Sequence, residues 1–130
     1  MNLEQYNYLQ HQENDNQIAI DFDGVIHKNS KGFHDGTVYD EPIEGAFEAI
    51  KALHSQGYTI VIFTAKAKPD RPLINGKTGV ELIEEWLDSY EMLEYIKEVT
   101  PEKPRAIAYI DDRAIRFTDW NQVLEDLDHA

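Results

Sequence analysis

The chain has 130 residues, 42% of them hydrophobic, with 12 Lys and Arg against 25 Asp and Glu, for a net charge of −13. That length suits one domain around one core, and that charge argues against sequence-independent binding to nucleic acid or to an anionic membrane, which both need basic surface. The absence of cysteine excludes disulfides and thiolate metal sites.

The start Met1-Asn2-Leu3-Glu4-Gln5 has no basic-then-apolar signal pattern, and no apolar run approaches the ~18 residues of a membrane helix, so a cytoplasmic location is expected. Residues 1–16, rich in Gln, Asn and Glu, read as an arm or short helix ahead of a single domain over 17–130. Residues 18–21 form a first strand, whose continuous apolar run suits burial on both faces of a parallel sheet. Residues 24–41 carry the turn signals Asn29-Ser30-Lys31-Gly32 and Asp35-Gly36, with Phe33, Val38 and Tyr39 placed to flank a hairpin-sized flap.

A helix is predicted over about 42–56, with Ala46, Phe47, Ile50 and Leu53 as its apolar stripe and Gly57 as its stop. Residues 58–63 form a second strand closed by Thr64, and 65–77 a long polar loop. Thr78 and Glu81 fit a capping box that opens a helix to about Tyr90, burying Val80, Ile83, Trp86, Leu87 and Tyr90. Short strands are expected over 95–99, 106–110 and 115–117. Thr118 or Asp119 caps a last helix carrying Trp120, Val123, Leu124 and Leu127, with Trp120 expected in the core. This alternation predicts an α/β fold, three-layer α/β/α and Rossmann-like, with a mainly parallel sheet.

In such sheets ligands bind beyond the carboxyl ends of the strands. Three strands here end in reactive side chains: Asp21, Thr64 and Asp111. Carboxylates placed as close as Asp21 and Asp23 raise each other's pKa unless a cation or proton intervenes. Mg²⁺ prefers hard oxygen ligands, which Asp21, Asp111 and the backbone carbonyl of Asp23 can supply, with Asp112 supporting them from behind or through water. Thr64 and the backbone at Ala65 offer donors to a phosphate, Lys103 offers a cation, and Gly24 permits a sharp turn.

These residues resemble the motifs of the haloacid dehalogenase superfamily of phosphohydrolases. Its Asp-x-Asp-x-(Thr/Val) appears as Asp21-Phe22-Asp23-Gly24-Val25, its strand ending in Ser or Thr as Ile60-Val61-Ile62-Phe63-Thr64, its lysine as Lys103 before Pro104, and its acidic pair as Tyr109-Ile110-Asp111-Asp112. Lys103 lies only eight positions before Asp111, closer than in many members, and Lys97 is the fallback. The resemblance implies Mg²⁺-dependent hydrolysis of a phosphate monoester, with Asp21 as nucleophile and Asp23 as general acid and base. The dehalogenases of the family lack the second aspartate, so Asp23 favours a phosphatase. The gaps at 24–41 and 65–102 hold no cap domain, which resembles the small capless members.

Two other readings stand beside this one: a phosphatase acting on nucleic-acid ends, which the net charge opposes, and a non-catalytic module that binds a phospho-ligand or partner. A small phosphorylated substrate is the expected partner; an oligomer is possible. The loop after Thr64 carries Lys66, Lys68, Arg71 and Lys77, either to grip an anionic substrate or as a solvated surface. His27 and Lys66 are candidate substrate contacts, while His34 reads as an exposed loop histidine. Arg113 and Arg116 read as ion-pair partners of the acidic pair.

Overall fold

The computed structural model of the protein describes residues 2–3 and 16–129, so most of the expected N-terminal arm lies outside the described residues. Four strands, β1 (Gln17–Asp21), β2 (Thr59–Phe63), β3 (Ile96–Thr100) and β4 (Ala108–Ile110), form one sheet in the order β3-β2-β1-β4. Every pairing is parallel. Among the described residues three α-helices accompany it: α1 (Ala46–Ser55), α2 (Gly79–Ser89) and α3 (Trp120–Asp128). Among the described residues no helix is long and apolar enough to cross a membrane.

The apolar runs explain the sheet's centre. Ile18, Ala19 and Ile20 of β1 and Ile60, Val61 and Ile62 of β2 are all buried, as expected for strands covered on both faces. Phe22, Ile26, Ile83, Trp86, Leu87 and Met92 join them in the core. Register then sets the site. Asp21 pairs with Phe63, and Ile20 pairs with Ile110. Thr64 and Asp111 therefore emerge beside Asp21 at one rim of the sheet.

Helix α2 begins where its capping box predicts. Thr78 Oγ1 accepts from the Glu81 N–H at 3.1 Å, and Glu81 Oε1 accepts from the Thr78 N–H at 3.0 Å. Helix α1 starts four residues later than expected. Its N-cap is Gly45, at φ 86°, and the Ile43 N–H is already committed to the Ile26 carbonyl at 2.8 Å. Its end is as expected, with the Gly57 and Tyr58 N–H groups bonded to the His54 and Leu53 carbonyls.

Three expectations are corrected. Residues 115–117 form no strand, and no hairpin forms between 28 and 41. An antiparallel bridge between His27 and Pro42 closes the base of that segment, with the Lys28 N–H donating to the Glu41 carbonyl at 2.9 Å, and side chains hold the rest: Asp40 Oδ2 accepts from the Ser30 N–H at 2.9 Å, and the Tyr39 hydroxyl bridges the Lys31 N–H and the Gly32 carbonyl. The apolar stripe of α3 is not core: Trp120 is 71% exposed, and Leu124 and Leu127 are also exposed. Amphipathic spacing shows that a helix has an apolar face but not what that face meets.

Candidate active site

Asp21 ends β1, where its Oδ1 accepts from the Phe22 N–H at 2.8 Å. Parallel pairing with β4 brings Asp111 and Asp112 alongside. One carboxylate oxygen from each of Asp21, Asp111 and Asp112 lies within 4.8 Å of the others. Burial raises the pKa of Asp21 to about 6, and the charges of Asp111, Asp112 and Asp23 add to that against the opposing Phe22 N–H. The Arg113 N–H holds Asp111 Oδ1 at 2.9 Å. Gly24 makes room for Asp112: at φ 84° its missing Cβ would stand 2.6 Å from Asp112 Oδ2.

This donor set fits a hard divalent ion. It is all oxygen, it carries more charge than one such ion, and opposite ligands of Mg²⁺ stand about 4.2 Å apart, so small side-chain movements would close the cluster on one ion. Asp112 therefore belongs among the converging carboxylates rather than behind them.

The Asp23 carboxylate stands apart from this group. Lys66 Nζ donates to its Oδ1 at 3.0 Å and lies 2.9 Å from its Oδ2. His27 Nδ1 lies 2.8 Å from the same Oδ1. On the far side of that ring, the Asp40 N–H donates to His27 Nε2 at 3.0 Å. Nε2 is thus the acceptor, which leaves Nδ1 carrying the proton that faces Asp23. Burial pushes the pKa of Asp23 up, but the His27 and Lys66 hydrogen bonds and the Lys66 charge outweigh it and hold Asp23 below the ordinary carboxylate range. Two carboxyls two residues apart are thus driven in opposite directions.

His27 is 0% exposed, stacked on Phe22 at 5.3 Å and edged by Trp86 and Tyr39. Its ring is therefore buried behind Asp23, with one nitrogen facing that carboxylate and the other the Asp40 N–H. Lys66 is 6% exposed. Its inward course follows from the turn after β2. Thr64 Oγ1 caps that turn by accepting from the Lys66 N–H at 3.2 Å, which leaves the Thr64 hydroxyl hydrogen to donate elsewhere. Gly79 packs against the same backbone, where a Cβ would fall 1.7 Å from the Lys66 carbonyl oxygen.

Asp21, Asp23, Gly24, Thr64, Ala65 and Asp112 line one cavity of about 480 Å³, with Lys28 and Arg113 also on its wall. Lys103 is not drawn into it. Its ammonium lies 4.4 Å from the Tyr109 ring centroid and 5.7 Å from that of Phe63. Lys97 bonds Gln17 Oε1 at 3.2 Å, at the opposite end of β1 from Asp21. The cation beside the Asp pair is Lys66, which sequence reasoning treated only as a substrate contact. The signal available was its spacing, two residues past the strand-ending Thr64. Arg113 and Arg116 form no ion pair with the acidic pair among the described residues.

No family model, no curated protein and no solved structure matches the chain.

Proposed function

We propose that the protein is a Mg²⁺-dependent phosphatase of haloacid dehalogenase type. In this reading it is a capless three-layer α/β/α domain that hydrolyses a small phosphate monoester in the cytoplasm. One observation carries the reading: Asp21 converges with Asp111 and Asp112, while Asp23, sharing its cavity, is held ionised by buried Lys66 and His27. Phosphoryl transfer asks for such a division, with one carboxylate to attack and another to move protons.

Asp21, Asp111 and Asp112 would hold Mg²⁺, which when bound offsets charge between the attacking carboxylate and the phosphate. An Asp21 oxygen attacks phosphorus as the bond to the leaving oxygen breaks, giving an aspartyl-phosphate. Asp23 protonates the departing oxygen. The incoming phosphate dianion favours that proton by raising the pKa of Asp23. Asp23, now ionised, takes a proton from water as the water attacks phosphorus, and Asp21 is restored. His27 and Lys66 stabilise the ionised form that this second step needs. The Thr64 hydroxyl and the backbone at Ala65 face the phosphate from the β2 side.

An aryl-phosphate assay with and without Mg²⁺ tests the reading. Wild type should turn over only with the ion, and Asp21→Asn should be inactive yet folded. If both are equally inactive across a broad panel of phosphate esters, the reading fails and a phospho-ligand-binding module takes its place.

A further inference from the structure

The cavity over Asp21 does not end at Asp23. A second hollow of about 510 Å³ shares Asp23, Thr64 and Ala65 with it and runs out beneath the loop after β2. Asp23 therefore stands on the boundary between the two. In the proposed reaction the group that protonates the leaving oxygen must touch it, so the leaving group extends to Asp23's side. The second hollow is where that group would lie.

Its outer wall is formed by Phe33, Lys68, Asp70, Arg71 and Pro72. Lys66 also lines it, but its charge is committed to Asp23. Lys68 and Arg71 have no carboxylate within ion-pair distance among the described residues. In a chain of net charge −13, two uncommitted cations on one wall are notable for their position.

Arg71 is also held in place. Its Nη1 donates to the Ala65 carbonyl at 3.3 Å, and its guanidinium carbon lies 5.0 Å from the Phe33 ring centroid. Phe33 itself is 69% exposed, so this contact serves no core. A guanidinium fixed between a ring and a carbonyl has lost part of its rotamer freedom before any ligand arrives, and its remaining N–H groups suit the two oxygens of an anion. The loop beneath it is anchored: Gly36 leaves space that Ile74 fills, and Gly79 seats the Lys66 backbone.

We infer that the preferred substrate is a phosphate monoester whose leaving group carries a second anionic group, phosphate or carboxylate, bound by Lys68 and Arg71. This inference rests on the phosphatase reading and narrows its substrate class.

The test uses three alkyl monophosphates of equal chain length that end in phosphate, carboxylate or hydroxyl. Wild type and the Lys68→Ala/Arg71→Ala double variant are assayed with saturating Mg²⁺. Wild type should show a KM at least about tenfold lower for one or both anionic substrates than for the hydroxyl one, the gain from one charge-assisted contact. The double variant should bring the ratio to within about twofold, mostly through KM. Whichever anion gains more identifies the second group. Equal KM values in wild type, or a preference that survives in the double variant, overturns the inference while leaving the phosphatase reading intact.

Calorimetry with an alkane bisphosphonate and the matching monophosphonate separates the two failures. If no ester is hydrolysed but wild type binds the bisphosphonate about tenfold more tightly and the double variant does not, the hollow is an anion subsite and only the chemistry was wrong. If neither turnover nor a binding preference appears, both fall.

Discussion

Asp21→Asn removes one charge from the acidic cluster while keeping an oxygen for the Phe22 N–H. With oxygens within 4.8 Å of one another, each like-charge pair costs about 1 kcal/mol in a water-like dielectric and more in a drier one. Asp21 faces two such neighbours and is only half-buried, so the metal-free variant should be more stable by about 1–2 kcal/mol at low salt. For a domain of this size that is roughly 3–8 °C in Tm. The pH dependence has a definite sign. The pKa of Asp21 is raised from 3.8 to about 6 in the fold. Its protonation therefore stabilises wild type below 3.8, and that stabilisation is lost as pH rises through about 6. The advantage of the variant should thus be largest above pH 6 and fade as pH falls toward 4. Mg²⁺ reverses the order: at about 100 times its Kd it stabilises wild type by about 2.7 kcal/mol and the variant by less. Thermal melts in EDTA and in MgCl₂ at several pH values measure all of this. A variant that melts no higher than wild type in EDTA, with an equal response of both to Mg²⁺, would refute the convergence of these carboxylates on one ion.

Gly24→Ala forces a side chain into a φ of 84° and against Asp112. It should cost about 1–2 kcal/mol in a denaturant melt and weaken apparent Mg²⁺ affinity about tenfold. Lys66→Met takes the cation from Asp23 and should move the alkaline limb of kcat/KM to higher pH, because the carboxyl that must donate a proton in the first step loses the charge that holds its pKa down. His27→Ala leaves the Asp40 N–H without its acceptor and Asp23 with Lys66 as its remaining partner, and should cost about 2–3 kcal/mol. It should also slow the second step, so that phosphate release from the phosphoenzyme in single-turnover experiments falls about tenfold whether an alkyl phosphate or p-nitrophenyl phosphate formed it; an unchanged rate would reduce His27 to a packing role. Thr78→Ala breaks the capping box and should lower stability by about 1 kcal/mol in a denaturant melt.

The parts legible from sequence were those with local causes. Apolar runs marked β1 and β2, and reactive residues at three strand ends marked the rim where the cavity and the candidate site lie. Thr78 and Glu81 marked α2 because a capping box is made within four residues. The rest depended on distant partners. The start of α1 was displaced by a bond from Ile43 to Ile26 that periodicity does not encode. His27 read as a candidate substrate contact because the amide that satisfies its ring, Asp40, lies thirteen residues away. The choice between Lys66 and Lys103 turned on side-chain direction. The short turn after Thr64 sends Lys66 inward, whereas Lys103 comes to rest on aromatic rings.

β4 is only three residues long and lies at the sheet's edge, joined to β1 by three register pairs. Two of the three cation-ready carboxylates follow it. In the proposed reading, any fraying that peels this strip from its neighbour also separates the carboxylates that would hold the ion, so ion binding and closure of the edge are thermodynamically linked and each favours the other. A bound ion would work as a clasp on the margin of the sheet, and slower amide exchange at Tyr109 and Ile110 would report it.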